Sequence, residues 1–207
     1  MAIDLASADE LLTTTRAVRK RLDFNRPVPR SVIVDCVRIA QQAPTGSNSQ
    51  NWRWIVVEDA AKRKALGDIY ESIVGDYIRA NRKADGEHVR QTDRVYESAL
   101  YLAERLHQVP VHVIPCLAER VTPGQEATFY GSIYPAVWSF QLALRARGLG
   151  TVLTTAHLFK AEEAAKLLGI PAELTQCGLL PVAYTIGGSF KPAARPDPES
   201  IIHWNGW

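Results

Sequence analysis

A chain of 207 residues is long enough for one domain with a sizeable core, or for two small ones. With 46% hydrophobic and 22% charged residues it has the composition of a soluble globular protein, and a formal charge of +2 gives no reason of its own to expect a nucleic-acid partner. The acidic start MAIDLASADELL is unlike a signal peptide and no apolar run reaches bilayer-spanning length, so a cytoplasmic protein with no membrane partner is expected.

The chain then opens on TTTRAVRKR, where Arg16 and Arg19 stand three apart. In a helical turn their guanidinium groups would share a side and suit a phosphate, although a solvated basic face explains the spacing at least as well. From Pro29 to Gln42, Val32, Ile33, Cys36, Val37 and Ala40 form the stripe of an amphipathic helix. The loop QQAPTGSNSQNW follows, with more hydrogen-bonding groups than a turn uses. Its amides and hydroxyls, Asn48 and Gln50 among them, suit a neutral heteroaromatic ligand as well as they suit an Asx-type turn network.

Trp54 to Val57 reads as a buried strand and Ala60 to Ile69 as a helix. Tyr70 to Arg94 is charged and only partly periodic, which predicts a surface excursion rather than core. Thr92 to His107 returns to helix, Val109 to Ile114 is a strand, and Ser132 to Arg147 is an apolar helix buried on more than one side. GLGTVLTT, Gly148 to Thr155, turns into a strand. Its GxG precedes a strand instead of following one and lacks an acidic ribose partner, so it is not a dinucleotide fingerprint. The glycines serve either a turn or the close approach of a planar ligand. Phe159 to Leu168 is a short helix stopped by Gly169, and Gly178 to Ile186 a last strand. The tail from Gly187 to Trp207 has three prolines and two tryptophans and must lie on something. Within it Lys191 and Arg195 either meet an anion or keep the tail soluble. Cys36, Cys116 and Cys177 are far apart and the five histidines lack ligand spacing, which suggests neither a disulfide framework nor a metal site.

In this order the motifs resemble the FMN-dependent nitroreductase family. The family's R-S-x-R/K element is matched by Arg16-Ala17-Val18-Arg19, with Ala17 in place of the serine. Its AP-S/T-x-x-N-x-Q-P-W loop is matched from Ala43 to Trp52, with Asn51 in place of the proline, and its G-L-G-T element by Gly148 to Thr151. A basic C-terminal tail, Lys191 to Arg195, completes the series. The resemblance implies a single domain over 1–207 with a three-layer αβα fold and a mixed, mostly antiparallel sheet. It implies a tail at 187–207 that wraps the partner of a homodimer. The segment 70–95, between two helices, is expected to be a lid over the flavin in which Tyr70, Tyr77, Arg79 and Arg82 set acceptor choice, or else an ordinary solvated helical hairpin.

By the same resemblance, Arg16, Ala17 and Arg19 hold the phosphate and polar edge of FMN. Pro44, Thr45, Gly46, Asn48 and Gln50 reach it from the other subunit. Leu153, Thr154 and Thr155 pass beside its N5, and Lys191 and Arg195 reach the phosphate. The implied reaction is ping-pong hydride transfer through N5, from NADH or NADPH to a nitroaromatic, quinone or related small acceptor, with no catalytic side chain. Specialised relatives are the alternatives. Reductive dehalogenases carry a Glu-x-x-x-Tyr…Lys lid for an amino-acid zwitterion, a spacing absent between Tyr70 and Arg94. The flavin-fragmenting synthases usually lack the asparagine that Asn48 provides. From other classes come a low-turnover flavin store or sensor, and a nucleic-acid binder using the Arg16–Arg21 cluster.

Overall fold

A computed structural model describes residues 3–81 and 89–207, with the side chains of 79–81 and 89–92 outside the description. Its centre is the strand β2 (Val111–Leu117), buried along its whole length. On one side it pairs antiparallel with β1 (Trp52–Val57) and on the other with β5 (Leu180–Tyr184), which pairs in turn with the short β3 (Leu149–Gly150). The two-residue β4 (Thr175–Gln176) pairs antiparallel with the end of β2, at Cys116 and Leu117. All these ladders are antiparallel; a single parallel bridge, Ala17 to Thr151, adds the N-terminal segment.

Alternation along β2 sorts the core into two layers. Val111, Val113 and Leu117 face α2 (Arg30–Ala40) and α5 (Glu126–Arg145). Ile114 and Cys116 face α3 (Ala60–Asn81), α4 (Val89–Arg105) and α6 (Ala161–Leu168). The expected three-layer αβα architecture with a mostly antiparallel sheet is therefore what the chain adopts. The α2 stripe turns Ile33, Cys36 and Ala40 inward, and all three cysteines are free and buried. Gly169 ends α6 in the left-handed region at φ 69°, as its place before Ile170-Pro171 suggests.

The structure adds one element and corrects three expectations. The N-terminal stretch ahead of Arg16 is a helix, α1 (Leu5–Thr14), capped by the Asp4 carboxylate accepting from the Ser7 N–H. The segment from Arg16 to Arg19 is not helical: Thr15 is extended and Val18 N–H donates to Thr151 O (2.9 Å), so the two arginines owe their placement to a strand-like pairing. The excursion expected from Tyr70 is core for its first half. α3 continues to Asn81 with Leu66, Tyr70, Val74 and Ile78 buried at four-residue spacing against α4. Residues 82–88 of that segment lie outside the described residues. β1 is less buried than expected, with Val56 40% exposed. Among the described residues no helix is long and apolar enough to cross a membrane.

Candidate active site

A cavity of about 300 Å3 opens where α3 and α4 meet the segment after β3. Arg19, Thr154 and Thr155 line it together with Tyr70, Tyr77, Tyr96 and Phe159, over an aliphatic floor that includes Val74 and Ile78. The fold brings these residues together through backbone pairing. Thr154 exchanges both backbone hydrogen bonds with Leu179 (3.0 and 2.8 Å), which holds the segment along the sheet. Its hydroxyl then donates to the Tyr70 hydroxyl (3.2 Å) across to α3. Burial pushes the Tyr70 phenol above its ordinary pKa, while the Thr154 hydrogen bond and the Arg19 cation pull it back, so it stays a neutral phenol. Leu153 turns the other way and packs into the α2/α5 core layer, close against Gly178, where a side chain would meet it at 2.5 Å.

Next to this cavity the two termini of the chain meet. Arg16 donates from Nη2 to the Lys191 carbonyl (2.8 Å) and the Thr13 carbonyl (3.0 Å), and from Nη1 to Thr15 O (3.0 Å). Three of its five N–H groups are thereby engaged, leaving two. Arg195 is exposed, with Nη1 on Ala194 O. Among the described residues Arg16, Arg19, Arg21, Arg145, Lys191 and Arg195 have no carboxylate partner. This end of the molecule therefore carries a local excess of positive charge that the near-neutral total does not reveal.

The polar loop forms a third group, seated on α5. Gly46 N–H donates to the Ser132 hydroxyl (2.9 Å), which donates onward to Thr128 O (2.7 Å), and Trp52 Nε1 donates to Ser132 O (3.0 Å). A Cβ at Gly46 would stand 2.9 Å from the Thr128 methyl, so glycine allows this seating. Gln50 donates to the Asn48 side-chain oxygen (2.7 Å), and Gln50 N–H to the Thr45 hydroxyl (3.3 Å). The Asx-type network is thus present, but it comes with strain: Ser47, Asn48 and Gln50 all have φ near +50°. Such a conformation costs about 1 kcal/mol or more per non-glycine residue and gathers at functional sites. Pro44, Ser47, Asn48 and Gln50 are exposed. Replacing Ser132 with Ala removes the acceptor of Gly46 and is expected to cost about 1–2 kcal/mol, read as a lowered urea midpoint. An unchanged midpoint would mean that the loop is seated otherwise.

The residues singled out in the sequence thus form three groups within one chain: Arg19 with Thr154 and Thr155, Arg16 with Lys191, and the loop on α5. Tyr96 and Phe159 escaped the sequence reading although they line the cavity; their signal was an aromatic at the cavity-facing spacing of α4 and one that is 82% exposed just past Thr155. Of the four residues expected to set acceptor choice, Tyr70 and Tyr77 line the cavity. Arg82 and the Arg79 side chain lie outside the described residues.

The chain as a whole is similar to known proteins. Residues 12–184 match the model of the nitroreductase family. An iodotyrosine deiodinase from Thermotoga neapolitana is 27% identical over 197 residues, spanning 94% of this chain and 96% of that protein. An NADH dehydrogenase from Thermus thermophilus is 25% identical over 205 residues, spanning 94% of this chain and 97% of that protein. Among solved structures, an iodotyrosine deiodinase bound to FMN and 3-iodo-L-tyrosine superposes with a TM-score of 0.73 at 24% identity, covering 95% of this chain and 98% of its own. A variant of the FMN and NADPH-dependent nitroreductase NfnB, from Sphigopyxis sp. strain HMH, does so with a TM-score of 0.71 at 20% identity, covering 97% and 99%. The match over most of the chain decides the matter: this protein belongs to the nitroreductase family.

Proposed function

We propose that the chain is a cytoplasmic FMN oxidoreductase that works as a homodimer, taking hydride from NADH or NADPH and passing it to a nitroaromatic, quinone or related small acceptor. The observation that supports this most is the cavity at which Arg19, Thr154 and Thr155 meet three tyrosines and Phe159, near cations that have no carboxylate partner among the described residues. Its donors suit FMN: guanidinium groups for a phosphate and a flavin edge, hydroxyls for ring heteroatoms, and aromatic walls for a planar ring. When bound, FMN supplies the two-electron chemistry, accepting hydride from the nicotinamide and returning it to the acceptor.

What the chain supplies is position and charge. Arg19, which lines the cavity, would hold the polar edge of the flavin and supply positive charge to it. Arg16, with two N–H groups to spare, joins Lys191 and Arg195 at the phosphate. The Thr154–Tyr70 hydrogen bond fixes the wall at which the acceptor would stack, and Tyr77 and Phe159 add aromatic surface at its mouth. Pro44, Thr45, Gly46, Asn48 and Gln50 meet the flavin of the other subunit, which fits a strained loop presented outward on α5. Dimerisation also covers apolar surface that one chain leaves open, including Val34, Trp138, Trp204 and Trp207.

A second reading, a reductive dehalogenase, draws support from the deiodinase relatives, whereas the missing Glu-x-x-x-Tyr spacing speaks against it. Multiple-turnover assays of the FMN-loaded protein with a nitroaromatic, a quinone and 3-iodo-L-tyrosine separate the two. Reduction of the first two without iodide release is the expected outcome. Iodide release that outpaces both would replace the first reading by the second, and no turnover of any acceptor would overturn both.

A further inference from the structure

The root of the C-terminal tail is fastened more firmly than its exposed end. Gly187, at φ +85°, turns the chain across Arg21, where a Cβ would lie 3.3 Å from Nη2. Arg21 then donates from Nε to Ile186 O (2.8 Å) and from Nη2 to Gly188 O. Phe190, half-buried, lies with its ring centroid 4.2 Å from the Arg21 guanidinium and 5.2 Å from that of Arg145. Arg145, in the last turn of α5, reaches on to the Thr14 hydroxyl at the end of α1 (3.4 Å). One residue beyond Phe190, the Lys191 carbonyl accepts from Arg16. Past that point the tail is exposed throughout.

We propose that Phe190 is a positioning residue: in contact with the guanidinium groups of Arg21 and Arg145, it fixes the tail so that the Lys191 backbone stays on Arg16 and the two residues serve as one anion-binding pair. The ring's electron-rich π system attracts both cations, and two like-charged groups that would otherwise repel are brought to one place. The aromatic contact uses no charge of its own, so the positive field of Arg16 and Lys191 is left for a ligand. This rests on the FMN reading, in that the anion is taken to be the phosphate of FMN.

Riboflavin, which lacks the phosphate, provides the test. Dissociation constants for FMN and riboflavin are measured by flavin fluorescence on the apoprotein and on the F190A, F190Y and K191Q variants. F190A is expected to weaken FMN by about tenfold while leaving riboflavin within about twofold, F190Y to retain FMN affinity, and F190A/K191Q to be no weaker than the worse single variant. Because Lys191 is exposed, K191Q should fold even if F190A does not, and it is expected to show the same selective loss of FMN. An unmodified protein that prefers FMN, together with an F190A protein that prefers it equally, would overturn the inference alone. Equal loss of both flavins would also overturn it, since the residue would then only hold the fold. An unmodified protein that binds neither flavin would overturn the FMN reading, and this inference with it.

Discussion

Acidification from pH 6.5 to about 4 is expected to remove several kcal/mol of stability, most of it through two buried histidines. His112 and His157 are both fully buried, and burial lowers each from 6.5 to about 4. At His112 the Leu106 carbonyl, 2.8 Å from Nε2, fixes the proton on that nitrogen and opposes the shift without cancelling it. At His157 the neighbouring Gln176 amide also opposes the shift, without completing a hydrogen bond to either ring nitrogen. Both folded-state values are depressed, so the unfolded chain takes up protons first. The stabilisation is complete above pH 6.5 and is lost as the pH falls towards 4, about 3 kcal/mol for each residue. Urea midpoints measured across this range should fall steeply, and His112→Gln should flatten part of the slope. A midpoint constant between pH 6.5 and 4.5 would show that neither ring is buried neutral.

Replacing Arg19 with Ala is expected to weaken FMN binding by ten- to a hundredfold, the worth of about 1.5–3 kcal/mol for a hydrogen bond to a charged donor. Unlike the Phe190 and Lys191 variants, it should weaken riboflavin by a similar factor, because Arg19 lines the cavity itself. The stability of the ligand-free protein should hardly change, since Arg19 has no carboxylate partner among the described residues. Fluorescence titration with both flavins measures this directly. Undiminished affinity for both would remove Arg19 from the flavin site.

Much of the architecture was legible because the core elements obey local periodicity. The stripe from Val32 to Ala40 marks α2, and the β-branched run at Val111 to Ile114 marks the central strand. The second half of α3 was misread, because the charges interleaved with Leu66, Tyr70, Val74 and Ile78 hid their four-residue repeat. α1 was not, because Leu5 and Leu12 are exposed in the single chain and give no one-sided pattern. The site depended on contacts that local spacing cannot report. Arg16 and Arg19 are placed by the pairing of Ala17 with Thr151, far along the chain, and not by a helical turn. The link from Arg16 to Lys191 spans almost the whole sequence. The loop rich in amides and hydroxyls is strained and exposed, and it forms the Asx-type network that its residues allow.

The most direct test of the functional account is an anaerobic spectrum. The purified protein, loaded with FMN, is treated with NADH and then NADPH without oxygen, and a nitroaromatic or quinone is added afterwards. The account predicts that the flavin band bleaches within seconds with at least one nicotinamide and returns on addition of the acceptor. A protein that cannot be loaded with FMN, or a bound flavin that neither nicotinamide reduces, would contradict it.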